Sequence, residues 1–136
     1  MTIGEKDLLF KDLCARLPYG VIVNVNGFDY DYNDKLTQIY NGYGCSIQVT
    51  TNMPYDIDQV KPYLFPLSSM TSEQYDEFFK YFHNIEIEEI KASDDYLKAA
   101  YLGDSAKYEW LNRNYFDWRF LIDKGLAIDC TNLDIY

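Results

Sequence analysis

An α+β fold is expected from three features of this 136-residue chain. β-Branched runs broken by turn residues dominate the first half, capped helical periodicities dominate the second, and nothing repeats internally. They imply a small curved antiparallel β-sheet or SH3-like barrel in residues 1–68, packed with three to four short helices from residues 69–136. Hydrophobic residues make up 48% and charged residues 25%, ordinary values for one globular domain. At 16.0 kDa such a domain can bury a core without disulfides or a structural metal.

The first element is a helix over Lys6–Leu17, where Leu8, Leu9, Leu13 and Leu17 recur at helical spacing before Pro18 and Gly20 end it. Val21–Asn26 is β-branched and closed by Gly27, a strand. The polar stretch Phe28–Asp34 reads as a loop. Lys35–Tyr40 and Cys45–Thr51 alternate as strands on either side of Asn41-Gly42-Tyr43-Gly44, whose glycines supply the positive φ of a hairpin turn. A further extended segment surrounds Val60 and Tyr63–Phe65, bracketed by Pro62 and Pro66.

The second half opens on a capping box, with Thr71 as N-cap, Gln74 at N3, and Met70 and Tyr75 as the hydrophobic staple. Tyr75, Phe78, Phe79 and Phe82 follow at i, i+3, i+4 and i+7, an aromatic stripe expected in the core. Ile85–Glu88 alternates like an edge strand or linker, and an edge over Ile85–Ile90 offers pairing between subunits. Ser93 caps a helix ending at Gly103, Ser105 caps another to Arg113, and a last short helix runs from Asp117 to Gly125. Leu126–Ile128 is extended.

No convergent catalytic set stands out, and no cofactor or metal is expected. His83 is the sole histidine and sits where a helix dipole favours a cation; no Ser or Cys occupies a nucleophile elbow. Asp29, Asp31 and Asn33 match the first ligand positions of a calcium loop, but Asp34 stands where the turn requires Gly and Tyr40 where a bidentate Glu is needed. Glu89-Ile90-Lys91 forms an E-x-K triplet that Asp56 or Asp58 could complete for metal-dependent phosphodiester chemistry, yet its acidic surround repels that substrate. Gly42-x-Gly44 lies between strands and is a turn. Cys14, Cys45 and Cys130, an odd number without a CxxC pair, read as reduced, partly buried thiols.

Charge narrows the partners. The chain carries −10, from 22 acidic and 12 basic residues, with 5 basic and 8 acidic up to Ser68 and 7 and 14 beyond it. Nucleic acid is disfavoured as a direct ligand, as are anionic membranes, and a basic protein surface is steered in. No uncharged apolar run approaches the ~18 residues of a membrane span. Acids also enter at once after Met1, without an apolar leader, so a cytoplasmic setting is expected.

Tyrosine supplies 14 residues, and those between Gly27 and Gly44 outnumber the hydroxyl partners a core can offer. Tyr30, Tyr32 and Tyr43 with the neighbouring Asp29, Asp31 and Asp34 therefore form the candidate interaction surface. A secondary candidate is Arg113–Phe120, where Arg113, Trp118 and Arg119 interleave bases with aromatics as in a stacking platform for single strands.

Two blocks, Val60-Lys61-Pro62-Tyr63-Leu64-Phe65-Pro66-Leu67-Ser68-Ser69-Met70-Thr71 and Glu109–Asn112 with Phe116–Arg119 and Leu121–Ala127, carry a resemblance. The chain resembles a family of small uncharacterised proteins of gut Bacteroidales and their phages and prophages. Trp118 stands where that pattern has Tyr, and Phe120 where it has Gly. The resemblance implies a phage or mobile-element origin and an intracellular setting, with no activity attached. The functional expectation is a non-enzymatic interaction module that binds another protein. Its alternatives are a nucleic-acid-related role, as an acidic mimic or weak binder, and an enzyme of unrecognised type.

Overall fold

The computed structural model describes residues 1–27, 31–41, 47–50, 54–81 and 96–136. The fold is α+β, with three α-helices among the described residues: α1 (Ile3–Arg16), α2 (residues 72–81) and α3 (Tyr96–Arg113). No helix among them is long and apolar enough to cross a membrane. The strands are β1 (Ile22–Asn26), β2 (Asp31–Lys35), β3 (Gln38–Asn41), β4 (Ile47–Thr50), β5 (Pro54–Asp56), β6 (Val60–Pro66), β7 (Phe116–Asp117) and β8 (Ile128–Asp129).

Two open sheets result. The larger runs β2-β1-β6-β7 with β8 also on β6, and the smaller runs β3-β4-β5. One stretch of chain, residues 31–41, feeds both, bending at Leu36 and Thr37, where the Leu36 amide reaches the Val21 carbonyl at 2.9 Å. The expected strand Lys35–Tyr40 is therefore divided: Lys35 ends β2 and Gln38 starts β3. Neither sheet closes into the expected SH3-like barrel among the described residues. Nor do strands and helices divide by half. α1 precedes every strand, and β7 and β8 return from the C-terminal region to pair parallel with β6, through Phe65↔Phe116 and Tyr63↔Ile128. The larger sheet is accordingly mixed rather than antiparallel throughout. Pro62 is tolerated in β6 because it pairs with Val23 of β1 before β8 joins the opposite side at Tyr63.

Phe28–Asp34 is corrected most. Asp31–Lys35 is a strand, antiparallel to β1 with Asn24 opposite Asn33 and Asn26 opposite Asp31. Asp and Asn have low strand propensity, but cross-strand partners outweigh it. The interval between Asn41 and Ile47, with the expected turn and Cys45, lies outside the described residues, though β3 and β4 do pair antiparallel.

Two apolar clusters form the core. The first packs Leu9 and Leu13 of α1 onto Val21, Val23, Val25, Val60 and Leu64, with Leu36, Ile57, Leu121 and Leu126 around them. Alternation places Val23 and Val25 inward, leaving Asn24 and Asn26 on the opposite face. The second gathers Phe78 of α2, Trp110 and Leu111 of α3, and Phe116. Of the aromatic stripe, only Phe78 is buried among the described members; Tyr75 is 57% and Phe79 45% exposed, while Phe82 lies outside the described residues with His83, Ile85–Ile90 and Ser93.

The capping box at α2 is present in both halves. The Gln74 amide donates to Thr71 Oγ1 at 3.1 Å, and the Thr71 amide to Gln74 Oε1 at 2.9 Å. Thr71→Ala should cost about 1 kcal/mol through the lost cap. A melting shift no larger than that of the exposed Ser68→Ala would show that α2 does not depend on it.

Gly103 does not end a helix: α3 runs through it to Arg113, held by the burial of Ala106, Trp110 and Leu111 on its following turns. The expected helix from Asp117 to Gly125 is absent. Both carboxylate oxygens of the buried Asp117 accept backbone amides, from Leu121 at 2.8 Å and Ile122 at 2.9 Å. Phe120 (φ 59°) and Gly125 (φ 72°) are left-handed, which a right-handed helix cannot accommodate. At the C-terminal end, Tyr136 Oη accepts the Ile22 amide and donates to the Tyr63 carbonyl, both at 2.9 Å, clasping β1 to β6.

Candidate functional site

Strand alternation sorts the residues singled out from the sequence. Asp31 shares the outer face of the larger sheet with its cross-strand partner Asn26. Tyr32 points the other way: it is half-buried against the first core cluster, and its hydroxyl bonds Tyr55 Oη at 3.0 Å. Asp34 lies on the same side as Tyr32, and its Oδ1 accepts the Lys35 amide at 2.8 Å. Asp29, Tyr30 and Tyr43 lie outside the described residues. A period of two thus separates residues that a loop would have presented together.

The secondary candidates are held within the fold. The Arg113 guanidinium lies 4.9 Å over the Tyr81 ring. Trp118 donates its indole N–H to Asn112 Oδ1 at 2.8 Å, and its ring meets Tyr108 at 4.4 Å. Arg119 lies 3.8 Å over Trp118 and bonds the buried Asp12 at 2.7 Å.

On the outer sheet face the structure instead shows a polar hollow of about 260 Å³, lined by Asn24, Asn26, Asp31, Asp58, Gln59, Lys61 and Ile128. Register builds it: Asn24 faces Asn33 on one side and Lys61 on the other, and Asn26 faces Asp31. The short 3-10 turn Ile57–Gln59 brings Asp58 to the rim, with Ile57 buried beneath. Hydrogen bonds fix the floor. Asn33 Oδ1 accepts both Asn24 Nδ2 at 3.0 Å and Tyr63 Oη at 2.8 Å. Gln59 donates to the Asn26 carbonyl at 3.3 Å while its Oε1 accepts the Asp56 amide at 3.1 Å. Asp31, Asp58 and Lys61 line this hollow at exposed positions. The set can accept hydrogen bonds from a cation at two carboxylates and meet one anion at Lys61.

Asn24, Asn26, Gln59 and Lys61 were not picked out from the sequence as site residues, and Asp58 was named only as a possible complement to the Glu89-Ile90-Lys91 triplet. A signal was present: Asn24 and Asn26 alternate with Val23 and Val25, which marks the end of this strand as polar on its outer face.

A different hollow, of about 270 Å³, is mostly apolar and lined by Phe10, Cys14, Leu17, Ile39 and Tyr40. Cys14 and Cys130 are free thiols, the first exposed and the second buried. Desolvation raises the Cys14 pKa and, with Asp129 nearby, pushes Cys130 up to about 11, so both stay protonated at neutral pH. Compared with protein-family models, curated proteins and solved structures, the chain matches none.

Proposed function

We propose that the protein is a non-enzymatic binding module whose outer sheet face receives a cationic surface of another protein. The observation that carries this reading is the convergence of Asp31 and Asp58 on one hollow whose floor is pinned by amide hydrogen bonds. A pinned floor costs little further entropy on binding, and strands position the carboxylates more rigidly than a loop would. The net charge of −10 supports the same partner chemistry by steering basic surfaces inward. Lys61 adds discrimination, since a partner presenting only cations there meets repulsion. The resemblance to small proteins of gut Bacteroidales and their phages gives the source in which to seek the partner, and the setting we propose is cytoplasmic.

The experiment is capture of partners by the tagged chain from lysate of such a host, followed by binding kinetics with the purified partner. Asp31→Asn with Asp58→Asn should slow association about tenfold at low salt and flatten its salt dependence, with the melting transition unmoved. A partner whose association ignores both changes would show that binding uses another surface. Recovered nucleic acid, or a captured DNA-binding protein released by competing DNA, would instead favour the nucleic-acid-related role.

A further inference from the structure

β2 (Asp31–Lys35) ends the strand order of the larger sheet, with no described strand beyond it. Hydrogen-bond phase fixes which of its backbone groups face that free edge. The Leu36 amide bonds the Val21 carbonyl at 2.9 Å, and these two residues continue the β1–β2 register. Antiparallel rungs alternate, so Asp34 and Tyr32 bond Val23 and Val25, while Asp31, Asn33 and Lys35 turn their N–H and C=O groups outward. Other bonds agree with this phase. The outward Lys35 amide is taken by Asp34 Oδ1 at 2.8 Å. Across β1, the Ile22 amide and the Asn26 carbonyl face away from β2, toward Tyr136 Oη and Gln59 Nε2.

The three outward residues are also the exposed ones of the strand, and they run acid, amide, base. From this pattern we infer that β2 pairs antiparallel with β2 of a second copy of the chain, about a two-fold axis at Asn33, forming a weak homodimer. Asn33 then faces its own counterpart, and Asp31 faces Lys35 of the second copy, twice by symmetry. Other registers lose the match. Centring the pair on Asp31 or on Lys35 sets like charges opposite, and parallel in-register pairing aligns acid with acid and base with base.

The edge is open to this pairing. Asn33 Oδ1 is held by Asn24 and Tyr63, which draws the side chain over its own sheet and leaves the backbone edge clear. Asp34 caps the Lys35 amide, which discourages an arbitrary strand. The central rung at Asn33, and the bond from the Asp31 amide to the Lys35 carbonyl, form without displacing that cap. A five-residue edge is short and each copy carries −10, so association is weak and concentration-dependent. Asp31 also lines the sheet-face hollow, but Lys35 does not, so Lys35 tests the edge alone.

Charge exchange tests the register. In sedimentation equilibrium the wild type should show a monomer–dimer equilibrium below about 1 mM, the weak end of specific association. Lys35→Glu and Asp31→Lys should each weaken dimerisation at least about tenfold, because both symmetric ion pairs become like-charge contacts. Both positions are exposed, so the melting transition of the dilute variants should match the wild type. Mixed in equal amounts, the two variants should pair with each other to within about threefold of the wild-type affinity, since both cross-dimer pairs are then opposite in charge. Amide exchange reads the backbone: the Asn33 amide should be protected only in the dimer, and the Asp34 amide in monomer and dimer alike. The inference is overturned if the wild type stays monomeric up to that concentration, or if Lys35→Glu dimerises as well as the wild type. It is equally overturned if the mixed variants do not pair, or if the Asn33 amide stays unprotected in the dimer.

Discussion

Asp12→Ala should destabilise the protein by about 3–5 kcal/mol, enough to leave much of it unfolded if the domain holds the usual ~5–15 kcal/mol. The side chains of Asp12 and Arg16 are both 0% exposed, and Arg16 Nε bonds Asp12 Oδ2 at 2.9 Å. The same guanidinium donates to the Phe116 carbonyl at 2.7 Å and the Asn112 carbonyl at 3.5 Å, while Arg119 takes the other oxygen of Asp12. Removing the carboxylate strands a buried cation and releases Arg119, and both effects point the same way. Urea unfolding should show a large fall in midpoint. The apolar pair Asp12→Leu with Arg16→Met should recover part of the loss, because it removes the buried charges together. Recovery should be incomplete, since the carbonyls of Asn112 and Phe116 would then lack that donor. An Asp12→Ala cost below about 1 kcal/mol, the worth of an exposed pair, would show that solvent reaches Arg16.

That network explains what was readable and what was not. α1 carries two acid–base pairs at i, i+4: Asp7–Lys11, whose side chains are 58% and 65% exposed, and Asp12–Arg16, which are fully buried. Spacing alone makes them equivalent. The distinguishing signal is the face, because Leu9, Asp12, Leu13 and Arg16 lie on one side of the helix and two of them are core residues. The partners that make this burial tolerable, at Asn112, Phe116 and Arg119, are about a hundred residues away, and no local pattern announces them.

Elsewhere local chemistry sufficed. The strand at Ile22–Asn26 and the box at Thr71 and Gln74 follow from neighbouring residues, and both are present. Where distant partners decide, local reading misled: β2 forms from strand-poor residues because β1 lies beside it, and Asp117 turns the chain where a helix was expected. The site was legible to the same degree. Asp31 could be picked out, but its neighbours Asp58 and Lys61 arrive from a different strand connection, and the alternation that turns Tyr32 inward becomes visible only once β2 is a strand.

Trp110→Ala should cost about 3–5 kcal/mol, the usual penalty for emptying a large buried site. Trp110 is 2% exposed, stacks nearly parallel on Phe116 at 5.8 Å, and meets Phe78 at 5.1 Å. From α3 it meets Phe78 of α2 within the second core cluster, so its loss weakens the packing between the two helices. The two clusters should nevertheless melt together, because Arg16 on α1 holds the carbonyls of Asn112 and Phe116 across the boundary between them. The variant reports on itself. With only two tryptophans in the chain, Trp118 becomes the sole indole, and its N–H is bonded to Asn112 at 2.8 Å. Its fluorescence therefore follows the second cluster, while far-UV circular dichroism follows all the helices. Coincident midpoints, both lowered, are the expected result. A fluorescence transition that precedes the dichroism change would mean that the second cluster unfolds alone, and that the hydrogen bonds of Arg16 do not couple it to the sheet.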